Sequence, residues 1–457
     1  MDKQILMMKD GKISTTLIKF GIPSIIGFLV NALYNFVDAV FVGGIGTEAM
    51  AAASVVFPIA MVMVGVGHTF GSGGASYVSR LIGASKKTEA EATASTSIIS
   101  AIITGIIVTV LSVIFIEPIL RVFGATDSIM SYAKDYSYIY LSFSLFPILG
   151  VTLNNLARSE GALKVSMMAM IAGAALNIAL DPIFIYSLNM GIKGAALATV
   201  ISQALTVIIL TVFYRSRKSF LSPGIKKIKF SKKIYSEVLK IGIPTFLYQL
   251  LTSISMGMLN NAAANYGDEA VAAMGIITRI LAIGSFVIFG YSKGFQPFAG
   301  YNYGSGNISR LKKGLNFSLI FTTIIGVVLT FVQIMFSHQI VSIFTKNPQV
   351  IEIASRGLIA SSIMFSLLGF QVMYATLFLA LGMARQGSIL SLARQGICFI
   401  PVILILPAVL GLDGVIFTQM IADALTVLLT LIFAIKVNSK LREVELSPKV
   451  ATASVSK

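Results

Sequence analysis

Runs of about twenty apolar residues recur along this chain, and that recurrence constrains the fold more than any single motif. A bilayer's hydrocarbon core is about 30 Å thick and a helix rises about 1.5 Å per residue, so such a run is what a spanning helix needs. Inside the bilayer every backbone N–H and C=O must be satisfied within the protein, which selects helices over open strands. Of the 457 residues, 56% are hydrophobic and 12% charged, against about 25% charged in a soluble domain. Mean hydropathy is +0.87. These figures define an integral, all-α polytopic membrane protein. Bounded by charges and turn residues, the runs predict twelve helices at 15–42, 52–80, 93–116, 131–157, 164–188, 193–214, 236–265, 271–300, 314–337, 351–380, 387–410 and 414–436. The first run contains Pro23 and Asp38 and is too long for the core of a cleavable signal, so it is expected to be a span. Connections are short, and no soluble domain is expected.

The net charge is +16, from 35 Lys and Arg against 19 Asp and Glu. A basic balance can signal nucleic-acid binding, but the cations here cluster in alternate short loops, as the positive-inside rule expects. Lys3, Lys9, Lys12 and Lys19 precede or open the first run. Arg80, Lys86 and Lys87 follow the second, and Arg215, Arg217, Lys218, Lys226, Lys227, Lys229, Lys232 and Lys233 follow the sixth. Arg310, Lys312 and Lys313 follow the eighth, and Lys436, Lys440 and Arg442 the last. The intervening loops carry Glu48, Asp268, Glu269 and Asp413 instead. Both termini are therefore expected in the cytoplasm, with an even number of spans and no nucleic-acid partner. The single cysteine, Cys398, excludes an intrachain disulfide, and His68 and His338 lie far apart, so neither a metal centre nor a cofactor is expected.

The chain repeats itself. KFGIPSIIGFL at 19–29 matches KIGIPTFLYQL at 240–250, and GTEAMAAASVVFPI at 46–59 matches GDEAVAAMGIITRI at 267–280. MGIKGAALATVISQALTV at 190–207 matches LGLDGVIFTQMIADALTV at 410–427. Six helices per copy leave both copies in one orientation, related by a pseudo-two-fold axis along the membrane normal. Such duplication is characteristic of transporters, whose lobes rock about a shared site. The expected division is an N-lobe at 1–214, a basic linker at 215–235 with an amphipathic surface stretch, a C-lobe at 236–440 and a tail at 441–457.

Intramembrane acids are costly and normally face a cavity or a partner. Asn31, Tyr34, Asn35 and Asp38 follow i, i+3, i+4, i+7 spacing and share one helix face. Asn177 stands four residues before Asp181, and Thr199 four before Gln203, so each pair shares a face. The positions paired with Asp38 and Asp181 in the second copy are Leu259 and Pro401, so the acid pair exists once. The blander reading is that such acids tie helices together, or that Asp181-Pro182 only ends a helix. In the C-lobe, Asp423 is expected to neutralise one of the intramembrane cations Arg279, Lys293 or Arg394.

The stretches LYNFVDAVFVGGIG on helix 1, LNIALDPIFIY on helix 5 and GFQPFAGYNYGSG on helix 8 resemble the MATE (multidrug and toxic compound extrusion) transporters. The details are most similar to the DinF and MepA-like branch, whose working acids lie on helices 1 and 5. The NorM-like branch is marked by acids on helices 7 and 10; here helix 7 carries Asn260 and Asn261, and helix 10 has no acid. The resemblance implies a cation-coupling set at Asp38, Asn177, Asp181 and Thr199, able to bind H+ or, alternatively, Na+. It implies a monomeric antiporter in a prokaryotic plasma membrane, working on lipophilic organic cations and drugs. Cavity residues are expected at Asn31, Tyr34, Asn35, Asn154, Gln203 and Arg279, and a hinge at Pro23. Two carboxylates, an amide oxygen and a hydroxyl form an oxygen-lined pocket in which both acids do not stay ionised, and the pair titrates as a unit. The alternative within the wider superfamily is a lipid-linked oligosaccharide flippase. An intramembrane enzyme is disfavoured by the lack of HExxH, GxSxG and CxxC motifs.

Overall fold

The computed structural model describes residues 3–216 and 218–446. Arg217 and the part of the tail beyond 446 lie outside the described residues. Among the described residues ten helices are long and apolar enough to span: α1 (Ile13–Gly43), α2 (Thr47–Gly83), α3 (Lys87–Ile114), α5 (Leu163–Ser187), α6 (Ile192–Arg215), α7 (Lys232–Ala264), α8 (Asp268–Gly304), α9 (Ile308–Met335), α11 (Ala384–Leu410) and α12 (Leu412–Glu445). Two further spans are bent pairs: α4 (Met130–Ser142 with Leu145–Ser159, 50°) and α10 (Pro348–Phe365 with Leu368–Leu381, 48°). Together they make twelve helices in two six-helix lobes, and no strand occurs among the described residues.

Helix starts depart from the apolar runs in one direction. α2, α3 and α9 begin at Thr47, Lys87 and Ile308, several residues before the runs that mark them. Polar residues can continue a helix past the hydrocarbon boundary because the headgroup region solvates them, so a count of apolar residues finds the buried part only. Short helices at Lys3–Asp10, Ile116–Val122 and Ser337–Ser342 are too short for a span-length window. The last two occupy corresponding places in the two repeats. Among its described residues the linker contains no amphipathic helix before α7 begins at Lys232. It runs extended apart from one 3-10 turn at Ile225–Lys227, because α3 takes its backbone groups: Gly224 N–H donates to Ser95 Oγ (3.1 Å), Ser222 N–H to Glu91 Oε1 (3.3 Å) and Lys229 N–H to Thr96 Oγ1 (3.1 Å).

Both described ends reach one face of the bundle, hereafter the basic face. Arg310, at the start of α9, donates to the Met7 and Met8 carbonyls (3.2 and 3.0 Å) and also to that of Gly11, while Lys312 pairs with Glu445 at 2.7 Å.

The lobes meet along this basic half. α2 crosses α7 where a Cβ on Gly73 would strike the Val238 carbonyl, and one on Gly242 the Thr69 carbonyl. α2 crosses α8 at Gly83 against Tyr301 and Gly304 against Arg80, and α1 crosses α8 at Gly290 and Gly294 against Ile25 and Phe20. Small residues four apart let helix backbones touch, which is how spans pack without a hydrophobic driving force. Arg80 of α2 also pairs with Glu237 of α7 at 2.7 Å. The buried clusters that cross between lobes do so through basic-half residues such as Val238, Tyr301 and Leu17. Leu259, Ala270, Val341 and Val350, on the opposite half, pack in a cluster drawn from the C-lobe alone. The packing describes a wedge: the lobes meet on the basic half, and among the described residues no buried cluster joins them on the other.

Candidate ion and substrate site

α1 runs unbroken from Ile13 to Gly43 with Pro23 inside it. Proline removes the hydrogen bond to the carbonyl one turn earlier. Pro23 itself is buried, and Ser24 Oγ donates to the Phe20 carbonyl at 3.2 Å. Beyond this point α1 carries Tyr34 and Asp38 toward the interior of the N-lobe. Tyr34 lies close enough to Asp38, Asp181 and Tyr140 to feel their charge.

α5 supplies the second acid. Asp181 is 0% exposed and Asn177 1%. Asn177 Nδ2 donates to Asp181 Oδ1 at 3.4 Å and to Thr199 Oγ1 of α6 at 3.5 Å, so three of the four expected coupling residues form one hydrogen-bonded group. Asp181 also feels the charge of Asp38. After Pro182 the helix widens into a π turn at Ile183–Ser187. Tyr186 at its end donates to the Phe41 carbonyl (2.7 Å), tying α5 to α1 beside the acids.

One observation decides the character of this pocket. Asp38 Oδ1, Asp181 Oδ2, Asn177 Oδ1 and Gln203 Oε1 are all buried acceptors without a hydrogen-bond partner. Buried polar atoms are paired in the great majority of cases, and an unpaired one costs about 1–3 kcal/mol. Four unpaired acceptor oxygens within one small group fit a cation or a proton. Tyr136 and Tyr140 of α4 complete the walls, Tyr136 beside Thr199 and Tyr140 beside Gln203. Sequence reasoning passed over both tyrosines, although their i, i+4 spacing in YAKDYSYIY was a visible signal.

The other expected cavity residues are placed differently. Asn31 and Asn35 form an exposed pair on α1, joined by Asn35 Nδ2 donating to the Asn31 carbonyl at 2.7 Å. Asn154 of α4 is buried and engaged: its Oδ1 accepts from Arg158 Nε (3.0 Å) and Nη2 (2.8 Å), and from Ser166. Arg279 is exposed on α8, on the other lobe from the acids. Asp423 does neutralise a C-lobe cation, and the cation is Arg394: Nε and Nη2 reach its two oxygens at 2.8 and 3.3 Å, and Gln419 adds a bond at 3.0 Å. Where the N-lobe has Asp38, the C-lobe has Leu259, packed into an apolar cluster.

The duplicated architecture and the once-only acid pocket agree with a comparison against known families. A model of the MatE family matches residues 23–183 and, a second time, 244–405. The chain belongs to the MATE family. Each match begins at one of the two prolines that the repeat pairs, Pro23 and Pro244. Among relatives, this MATE chain is 31% identical to the multidrug export protein MepA of Staphylococcus haemolyticus (strain JCSC1435), over 96% of its own length and 97% of that protein's. It is 30% identical to MepA of Staphylococcus aureus (strain MRSA252) with the same coverage. Among solved structures, an outward-facing conformation of a multidrug resistance MATE transporter superposes with a TM-score of 0.91 at 26% identity, covering 97% of this chain and 100% of that one.

Proposed function

We propose that this MATE chain is a secondary multidrug exporter of a prokaryotic plasma membrane, working as a monomer with both termini in the cytoplasm. It moves lipophilic organic cations outward in exchange for H+ or Na+. The observation that carries this reading is the set of four unpartnered acceptor oxygens on Asp38, Asp181, Asn177 and Gln203. The names of the MepA relatives support the multidrug part of it. With the basic face inward, the wedge opens to the outside.

Deprotonated, the two acids attract a cationic drug, or hold Na+ together with Asn177 and Thr199. Protonated from the outside, they lose that charge and release the drug. Of the two ions H+ is favoured, because an acid pair takes up a proton without needing a full coordination shell. A drug and a coupling cation that compete for one negative charge are exchanged rather than co-transported. Neutralisation of Asp38 also removes the reason for α1 to lean toward α5, and Pro23 supplies the place where α1 bends. Structures at low and high pH with an identical α1 would contradict this hinge.

The test is reconstitution in vesicles with a pH gradient or a Na+ gradient imposed separately. Wild type is expected to export a fluorescent organic cation under one of them, and Asp38→Asn to export none. Undiminished gradient-driven efflux by Asp38→Asn would overturn the coupling role. Export without any ion gradient would overturn antiport.

A further inference from the structure

A second polar group, buried at Arg158 and partly buried at Lys293 and His68, lies apart from the acids, and its sign is opposite. Arg158 of α4 is only 8% exposed. Its Nε and Nη2 are used by Asn154, Ser166 and Met170, and its guanidinium lies 5.5 Å from the Phe28 ring. Its remaining nitrogen, Nη1, makes no hydrogen bond among the described residues. Lys293 of α8 comes from the other lobe and lies near enough to feel the charge of Arg158. His68 of α2 faces both. Among the described residues no carboxylate makes an ion pair with Arg158 or Lys293. Glu160, two residues on from Arg158, accepts instead from Ser219 (2.9 Å) and from the Leu221 N–H (2.9 Å).

Arg158 and Lys293 line one small cleft with Ala75, Asn155, Ser159, Gln296 and Pro297. Gln296 is 8% exposed, and its amide has no hydrogen-bond partner among the described residues. The walls are therefore two cations, an unpartnered amide and no acid, drawn from both lobes. Two like charges at reduced dielectric repel, and a buried charge such as that of Arg158 without a counter-charge is costly.

We infer that this cleft is a binding site for a small inorganic anion of chloride size, held between Arg158 of the N-lobe and Lys293 of the C-lobe. Lys293 Nζ, Arg158 Nη1 and the Gln296 amide N–H are the donors it would meet. The small cleft excludes a large organic anion. Because each lobe contributes one cation, the site is complete only while the lobes are closed on the basic face. An anion that binds one conformation alone stabilises that conformation by mass action. The anion is therefore a clasp for the closed basic face, distinct from the acid pocket and from the exchanged cation.

The experiment uses the full chain in nanodiscs of neutral lipid, with chloride replaced by gluconate at constant ionic strength. Thermal unfolding is recorded together with the distance between spin labels at Glu48→Cys and Asp268→Cys, in a Cys398→Ala background. Chloride is expected to raise Tm saturably by several degrees and to increase the population parted on the far face. Lys293→Gln is expected to abolish both effects, and Gln296→Leu to weaken apparent chloride affinity at least threefold. Lys226→Gln, an exposed cation on the basic face, is expected to change neither. Equal chloride dependence in wild type and Lys293→Gln would overturn the site, as would indifference of wild type to chloride, bromide and nitrate. An effect reproduced by anionic lipid and not by chloride would assign the cleft to a headgroup and overturn it too. If Lys293→Gln fails to fold, Gln296→Leu decides.

Discussion

At the residue scale, the two lobes solve the same problem differently. In the C-lobe, the buried carboxylate Asp423 is fully engaged by Arg394 and Gln419. In the N-lobe, Asp38 and Asp181 make no ion pair among the described residues and keep unpartnered oxygens. A satisfied pair is structural, and its removal is a stability effect. Breaking a buried pair from one side strands a charge and costs about 3–5 kcal/mol, whereas replacing both partners with apolar groups of similar volume is close to neutral. Asp423→Asn is thus expected to lower Tm sharply in detergent, and Arg394→Met with Asp423→Leu to recover most of the loss. Equal losses in the single and double variants would refute the assignment. The N-lobe expectation is opposite. Asn177→Ala removes the amide that holds Asp181 and Thr199 together, so gradient-driven efflux is expected to fall at least tenfold with Tm nearly unchanged. A large Tm drop with efflux per folded molecule unaltered would make Asn177 a structural residue.

At the element scale, what could be read in advance followed from what an apolar count measures. All twelve spans were legible because each buries about twenty residues in hydrocarbon. The breaks in α4 and α10 were not, since Phe143–Ser144 and Ser366–Leu367 lie inside continuous apolar runs and a bend leaves composition unchanged. The pairing of Asn177 with Asp181 on α5 was legible because i, i+4 spacing fixes a shared face. The engagement of Asn154 was legible only in part: Arg158 stands four residues on, but nothing in the sequence says that Ser166 of α5 also converges on its side-chain oxygen. The surface helix Ile116–Val122 offers a prediction outside the membrane. Its Glu117 bonds Lys134 (2.6 Å) and Arg121 (3.1 Å), which hold the carboxyl below its ordinary range. A depressed folded-state pKa contributes stability above the unfolded value and loses it as pH falls through the folded one. Amide exchange, corrected for intrinsic rate, is expected to accelerate in Ile116–Val122 below about pH 4 and not in α5. Glu117→Gln is expected to show the faster exchange already at neutral pH. Exchange independent of both changes would show that the ion pairs do not hold this helix.

At the scale of the whole molecule, the closed basic face depends on backbone proximity more than on charge. Three crossings use glycines at places where a single Cβ would meet main-chain atoms of the other lobe: Gly73 and Gly242 between α2 and α7, Gly83 and Gly304 between α2 and α8, Gly290 and Gly294 between α1 and α8. Main chain inside a helix cannot move aside as a flexible side chain can, so an added methyl must separate the lobes. Overpacking of this kind costs about 1–3 kcal/mol, which changes a two-state population about 5- to 150-fold. The ion pair of Arg80 with Glu237, 15% and 20% exposed, is open to screening and contributes less, about 1 kcal/mol or below. Gly73→Ala with Gly242→Ala is therefore expected to deplete the state parted on the far face. The distance between labels at Glu48→Cys and Asp268→Cys should shorten, and efflux should fall although Asp38 and Asp181 are untouched. Glu237→Gln should shift the same distance distribution only slightly. If Glu237→Gln closes the far face and the alanine pair leaves it open, charge rather than glycine packing holds the lobes together. The alanine pair is informative beyond its own site, because it separates the wedge from the acids: loss of efflux with the acid pocket intact would show that transport needs the basic face to close as well as the acids to titrate.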